Sequence, residues 1–251
     1  MSKMSVLRIT ASSRKGQVRT NNEDMLLVGE QLIRNGRMSK TFSTREADRF
    51  MLAVADGMGG HNSGEVASAD TLSNLRFYFT DLPVGLTTST FNEVIYEWLA
   101  SINNFLDAKG RCSEVYRNMG TTLVALAYYA GEFYWMNCGD SRLYRLHDGH
   151  LSQITTDHSL NTLLGESQHS NYITNCIGGG CKNSYIDVVK CTDIVQPGDT
   201  FLLCSDGLSD MLPDDKIASL LKEGNEADAI CQAADDAGGR DNITVIVIHI
   251  E

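Results

Sequence analysis

Proline, basic residues and unbroken apolar stretches are all scarce in this chain of 251 residues. With only 3 Pro there is little material for stiff linkers. No internal repeat or low-complexity tract appears, so a single domain over residues 1–251 is expected. Nowhere do 18 apolar residues run together, which argues against a membrane-spanning helix and a membrane partner. The opening MSKMSVLRITASSRKG lacks the apolar core of a signal peptide, and the expected location is therefore cytoplasmic. The 7 Cys are scattered and never spaced as Cys-x-x-Cys, so reduced thiols are expected rather than disulfides or a zinc site. Lys and Arg number 21 against 32 Asp and Glu, a formal charge of −11 with no basic cluster. Such a chain repels phosphate backbones, which argues against nucleic acid. Carboxylates that converge would instead call for a hard cation such as Mg²⁺ or Mn²⁺.

What the chain does have is a succession of short β-branched and aromatic runs: 24–29, 49–55, 121–130, 132–139, 142–149, 184–191, 199–205 and 242–250. Ala130-Gly131, Asp140-Ser141 and Asp148-Gly149 separate several of them, the spacing of antiparallel hairpins. Between the second and third runs, helical periodicity spans Ser63 to Phe79, capped at Asn62 or Ser63, and then about 88–108. In the latter, Phe91, Val94, Ile95, Trp98, Ile102, Phe105 and Leu106 form a wide apolar stripe suited to a core. Further helices are expected at 158–166, 214–222 and 225–237. The segment 29–49 is longer than a tight hairpin needs and reads as a surface excursion. Strands in runs, with helices in pairs between them, predict an α+β fold of two stacked antiparallel sheets covered by helices.

Three apolar runs carry an aspartate at one end. RFMLAVADG ends on Asp56, TFLLCSDG ends on Asp206, and GGRDNITVIVIHI enters its strand through Asp241. An Asp-Gly pair alone is ordinary turn chemistry, as at Asp148-Gly149. Three carboxylates at the mouths of packed sheets are another matter, because partial desolvation makes each costly unless positive charge holds it. The segments at Asp56 and Asp206 supply no Lys or Arg, although Arg240 adjoins Asp241. In GQVRTNNED, Arg19 offers a planar fork for phosphate oxygens, and Glu23 and Asp24 offer acids able to hold metal-bound waters.

GQVRTNNED, VADGMGGHNSGEVAS, MGTTLVAL, NCGDSRLYRL, TTDHSL, LLCSDGL and GGRDNITVIVI, in this order over nearly the whole chain, resemble the metal-dependent Ser/Thr protein phosphatases of type 2C in their bacterial form. The resemblance implies a four-layer α/β/β/α sandwich and two Mn²⁺ or Mg²⁺ ions. Asp56 is then the bridging ligand, the Gly57 carbonyl a ligand of one ion, and Asp206 and Asp241 ligands of the second. Asp140 corresponds to a weaker third site. Arg19 matches the phosphate-binding arginine, and Glu23, Asp24 and Asn242 stand around metal-bound waters. The implied reaction is attack of a metal-activated water on phosphoserine or phosphothreonine of a protein substrate, opposing a Ser/Thr kinase.

The chain departs from the family's pattern in two places. Met58 stands where eukaryotic members carry a histidine proposed as general acid, and His61, three residues on, is either a proton donor or a hydrogen-bonding residue. The flap, about 159–183, reads as short and lacks the arginine often found near its end. His158 reads as structural. The substrate is either a range of phosphoproteins or one dedicated phosphoprotein, and a monomer is the default. A non-catalytic phosphoprotein-binding module on the same fold is the alternative, and it predicts broken metal ligands.

Overall fold

The computed structural model describes residues 6–59, 63–165 and 172–251, so that His61, Asn62 and part of the expected flap lie outside the described residues. The chain runs through β1 (Val6–Arg14), β2 (Met25–Val28), β3 (Gln31–Ile33), β4 (Gly36–Ser43), β5 (Arg49–Ala55), β6 (Gly57–Met58), α1 (Ser63–Thr80) and α2 (Thr88–Cys112). It continues with β7 (Gly120–Thr121), β8 (Leu123–Tyr129), β9 (Glu132–Cys138), β10 (Arg142–His147), β11 (His150–Gln153), α3 (Leu160–Leu164), β12 (Ile177–Gly178) and β13 (Asp187–Lys190). β14 (Thr200–Cys204), α4 (Asp206–Ser209), α5 (Asp214–Lys222), α6 (Ala227–Asp236) and β15 (Ile243–Ile250) complete it.

Two six-stranded antiparallel sheets result, in the orders β11-β10-β14-β15-β1-β4 and β13-β9-β8-β5-β2-β3, with a small sheet β12-β7-β6 beside them. The two-residue side-chain period sorts each strand between two cores. In β5, Phe50, Leu52 and Val54 face the space between the sheets, where they meet Ile9, Val124, Leu203 and Ile246. Met51, Ala53 and Ala55 face the other way, toward Leu72 and Leu75 of α1 and Phe91, Trp98 and Ile102 of α2. On the outer face of the first sheet, Leu202, Val245 and Val247 pack against Ile217 of α5 and Ile230 and Ala234 of α6. The order of layers is helix, sheet, sheet, helix, as expected.

α2 starts where Thr87 accepts the Thr90 N–H at 3.2 Å, an N-cap of the usual kind. Its stripe is narrower than its composition suggests: Phe91, Ile95, Trp98, Ile102 and Leu106 are buried, whereas Phe105 is 51% exposed. α3 is shorter than the expected 158–166 because Gly165, at φ 65°, ends it in the left-handed region.

Other expectations need correction. Ala130-Gly131 and Asp148-Gly149 do make hairpins, each with two successive positive φ values. Asp140-Ser141 does not, because β9 and β10 belong to different sheets and this corner carries the chain between them. The segment 29–49 is no mere excursion: β3 and β4 form an outer strand of each large sheet. The pairing of β1 with both β15 and β4, the strand β11 and the single turn α4 have no counterpart among the predicted elements.

Candidate metal centre

Asp56 follows directly on β5, and β7 and the residue after it hold its backbone in three places. Its N–H donates to Thr122 Oγ1 at 3.0 Å, and its carbonyl accepts the Thr122 N–H at 2.9 Å and the Thr121 hydroxyl at 2.8 Å. Asp56 thus sits between the end of β5 and the start of β6, its backbone tied to Thr121 and Thr122. Gly57 lies against the start of α1; a Cβ there would collide with the Gly64 carbonyl and stand 2.6 Å from that of Glu23. Its φ is not positive, so its need for glycine is close approach rather than a sharp turn. Gly207 repeats the arrangement at Asp206, where a Cβ would run into the Asn242 carbonyl.

Asp206 opens α4 as β14 ends. Its Oδ1 is buried with no hydrogen-bond partner. The Asp56 carboxyl is among its close neighbours. Burial, then the charges of Asp241 and Asp210, push Asp206 up to about 6. Burial, then Asp24, Asp206, Asp140 and Asp241, push Asp56 well above the usual carboxylate range. Asp24 is fully buried and accepts the Ser205 hydroxyl at 2.7 Å, while its Oδ1 finds no partner. Burial raises Asp24 to about 7 against the pull of Thr244 and Ser205. Burial and Asp206 raise Asp140 to about 7. Asp24, Asp56, Asp140, Asp206 and Asp241 therefore share one electrostatic neighbourhood, as their positions at strand ends suggest.

Asn242 joins the two loops that border this neighbourhood. It is 5% exposed, accepts the Glu23 N–H at 2.7 Å, and donates to Lys15 O at 2.8 Å and Asn21 O at 2.7 Å. Burial raises the Glu23 carboxyl, with Arg19 opposing that shift. Behind it, Arg34 donates to Asn22 O at 2.8 Å and Glu65 O at 2.5 Å, and stands 3.5 Å from the Glu65 carboxylate. Arg34 feels the charges of Glu23 and Asp24, yet sequence reasoning passed it over, since it lies in the segment 29–49 with no motif around it. The corner at Asp140 is supported by His158. Its Nδ1 accepts the Gly139 N–H at 3.1 Å, which leaves Nε2–H to donate to Asp187 at 3.0 Å.

Arg19 stands at the edge of the cluster with 53% of its side chain exposed. Its Nη2 donates to Asp241 Oδ2 at 2.5 Å, so the guanidinium lies on an acid of the cluster. Beyond it opens a groove of about 890 Å³ lined by Arg19, Arg142, Ser209, Asp214, Arg240 and Asp241.

Among the described residues, no group of three or more His, Cys, Asp or Glu is disposed, as the side chains stand, to hold a metal ion. The groups nearby are carboxylates and backbone carbonyls, the oxygen donors that hard cations take. The unpartnered oxygens of Asp206 and Asp24 and the mutual repulsion of five acids supply the need for positive charge.

A family model described as protein phosphatase 2C matches residues 31–237. The serine/threonine protein phosphatase PstP of Mycobacterium tuberculosis is 32% identical over 98% of this chain, which spans 45% of that relative's length. A solved serine/threonine phosphatase of S. agalactiae superposes with a TM-score of 0.82 at 28% identity, covering 98% of this chain and 100% of the other. The catalytic domain of PstP, solved in complex with two manganese ions, gives a TM-score of 0.74 at 31% identity over 98% of this chain and 99% of that one. The helix–sheet–sheet–helix layering, the acids at its strand ends and these matches agree: the chain belongs to the protein phosphatase 2C family.

Proposed function

We propose that this chain is a protein-serine/threonine phosphatase that hydrolyses phosphoserine and phosphothreonine with two Mn²⁺ or Mg²⁺ ions held at Asp56, the Gly57 carbonyl, Asp206 and Asp241, and a third, weaker ion at Asp140. The observation that carries the reading is the gathering of these carboxylates at one end of the two sheets, with Asp206 Oδ1 buried and unpartnered. Bound divalent ions supply a nucleophilic water at neutral pH and offset charge on the leaving oxygen. The manganese-bound relative supports this choice of ion.

The chain's own residues do the positioning. The Asp56 backbone is fixed by its bonds to Thr121 and Thr122, which sets where its side chain begins. Asn242 holds the Glu23 backbone against the Asp241 loop, and Glu23 and Asp24 orient water around the ions. Arg19 leaves Asp241 to the ions and turns its fork to the phosphate oxygens of the substrate. His61, outside the described residues, is assigned either protonation of the departing Ser or Thr oxygen or a structural or hydrogen-bonding role.

The partners that follow are phosphorylated proteins and, in opposition, a Ser/Thr kinase. A charge of −11 argues against nucleic acid. No helix among the described residues is long and apolar enough to cross a membrane. A monomer acting in the cytoplasm, folded as one catalytic domain, fits these properties. The test is phosphate release from a phosphothreonine peptide with Mn²⁺, with Mg²⁺ and with EDTA, for the wild type and Asp206→Asn. Turnover that needs metal and collapses in the variant supports the reading. A folded protein that binds the peptide but shows no turnover with either metal would move the weight to the non-catalytic binding module.

A further inference from the structure

We propose that Cys176 and Cys181, on either side of β12, form a dithiol that a two-electron oxidant of the peroxide class converts to an intramolecular disulfide, and that closing it loosens the strand that holds Asp56. The first half stands on geometry alone; the effect on turnover rests on the function proposed above.

The intervening loop folds both cysteines around one point. The Cys176 thiol lies 3.6 Å from the Gly178 carbonyl. The Cys181 N–H donates to Gly178 O at 2.9 Å, which turns the chain back on itself. One hydroxyl, that of Ser184, donates toward both cysteine carbonyls, and Asn103 accepts the Gly178 N–H at 2.7 Å while reaching Cys181 O at 3.4 Å. Gly178, Gly179 and Gly180 have φ of 73°, 61° and 77°, a run of left-handed residues that only glycine adopts without strain. Both cysteines thus meet at the Gly178 carbonyl and the Ser184 hydroxyl, the kind of close approach that a disulfide, with its Cα separation of roughly 4.4–6.8 Å, calls for.

The two sulfurs differ in access. Cys176 is buried at 7% exposure, whereas Cys181 is half-exposed. The Cys181 thiolate therefore meets the peroxide first. Its sulfur takes one oxygen as the O–O bond breaks, leaving a sulfenic acid and a hydroxide that picks up a proton to become water. The Cys176 sulfur then attacks the Cys181 sulfur. The S–O bond breaks, and the departing hydroxide leaves as water with the Cys176 proton. Two thiols and one peroxide give one disulfide and two waters.

Closure draws the sulfurs to about 2.05 Å. Cys176 runs directly into Ile177 and Gly178 of β12, so the pull of closure falls on them. These pair with Gly120 and Thr121, which pair in turn with Gly57 and Met58, and the Thr121 hydroxyl holds the Asp56 carbonyl. The dithiol is thus one strand removed from the strand beside the bridging acid.

The experiment treats the full chain with hydrogen peroxide, alkylates the remaining thiols, and maps disulfides by mass spectrometry after digestion. A Cys112→Ser background removes the exposed thiol that would link two molecules. The expected product joins Cys176 to Cys181. A disulfide to Cys138 instead, or no disulfide while Cys181 stops at its sulfenic acid, overturns the assignment. On the same samples, manganese affinity and manganese-dependent phosphopeptide turnover should fall several-fold, return with dithiothreitol, and be spared in Cys181→Ser. Both unchanged in a fully cross-linked sample overturns the coupling to Asp56. No turnover before oxidation, with the expected cross-link formed and manganese binding weakened by it, points to failure of the proposed activity and not of the dithiol.

Discussion

Arg19 and Asp241, separated by 222 positions in sequence, form an ion pair of 2.5 Å at the edge of the acidic centre. In the roles proposed above, Arg19 would meet phosphate and Asp241 a metal ion, and the pair would have to part for both. Arg19→Ala should raise KM for a phosphopeptide by about tenfold or more, the value of one charge-assisted hydrogen bond lost. Manganese affinity should hold or tighten, because Asp241 is freed. Calorimetric titration beside steady-state kinetics checks both, and loss of manganese binding in the variant would contradict the role given to Arg19.

Asp206, Asp24 and Asp140 stand at about 6, 7 and 7 in the folded chain, above the values they have when unfolded. The folded state therefore holds more protons than the unfolded one from about pH 4 to pH 7, and stability falls as pH rises through that window. In EDTA, thermal unfolding should come at a lower temperature at pH 8 than at pH 5.5, by about 2–4 °C for each kcal/mol lost. Manganese should narrow the gap by replacing protons at the acids. A scan in EDTA that is flat, or rises, between the two pH values would show that the acids do not repel one another as described.

Asn242 makes three hydrogen bonds across the loops from a buried position. Asn242→Ala leaves two carbonyls and an N–H without that partner and should cost roughly 2–4 kcal/mol of stability at about 1 kcal/mol per bond. Urea denaturation measures it. Manganese affinity should drop as well, since Asp241 loses its neighbour's support.

Gly207→Ala places a methyl group into the Asn242 carbonyl, a backbone atom that has no side-chain freedom with which to give way. Overpacking of this kind costs typically about 1–3 kcal/mol. Turnover should fall further than stability, because the displaced backbone carries Asp206 on one side and Asp241 on the other. Gly198→Ala is the comparison: a Cβ there meets nothing within 4 Å, so only the strain of its positive φ, 92°, is added.

The layers and the acidic centre were legible in the sequence because β5, β14 and β15 bury nearly every residue and leave an aspartate where each run meets its loop. β1 was hidden for the opposite reason. Its Thr10, Ser12 and Ser13 are buried polar residues that break the apolar pattern, and each is satisfied by a distant partner: the Ala227 N–H at 3.0 Å, Asp228 at 3.0 Å and Thr244 at 2.8 Å. No local pattern reports such partners. β4 is an outer strand, exposed over much of its length, and so lacks the hydrophobic alternation that marks a strand with a buried face. At the centre, the residue types at strand ends were readable, whereas the attachment of Arg19 to Asp241 and the presence of Arg34 behind Glu23 depend on which loops the fold brings together.

The pairing of β1 with β15 has a bearing on how this protein comes into being. The two strands lie at opposite extremes of the described chain yet are neighbours in the middle of one sheet. That sheet is not complete until β15 inserts between β14 and β1, and long-range closure of this sort is slow. Asp241 leaves the ribosome with that segment, after Asp56 and Asp206, so the three acids come together only once β15 takes its place in the sheet.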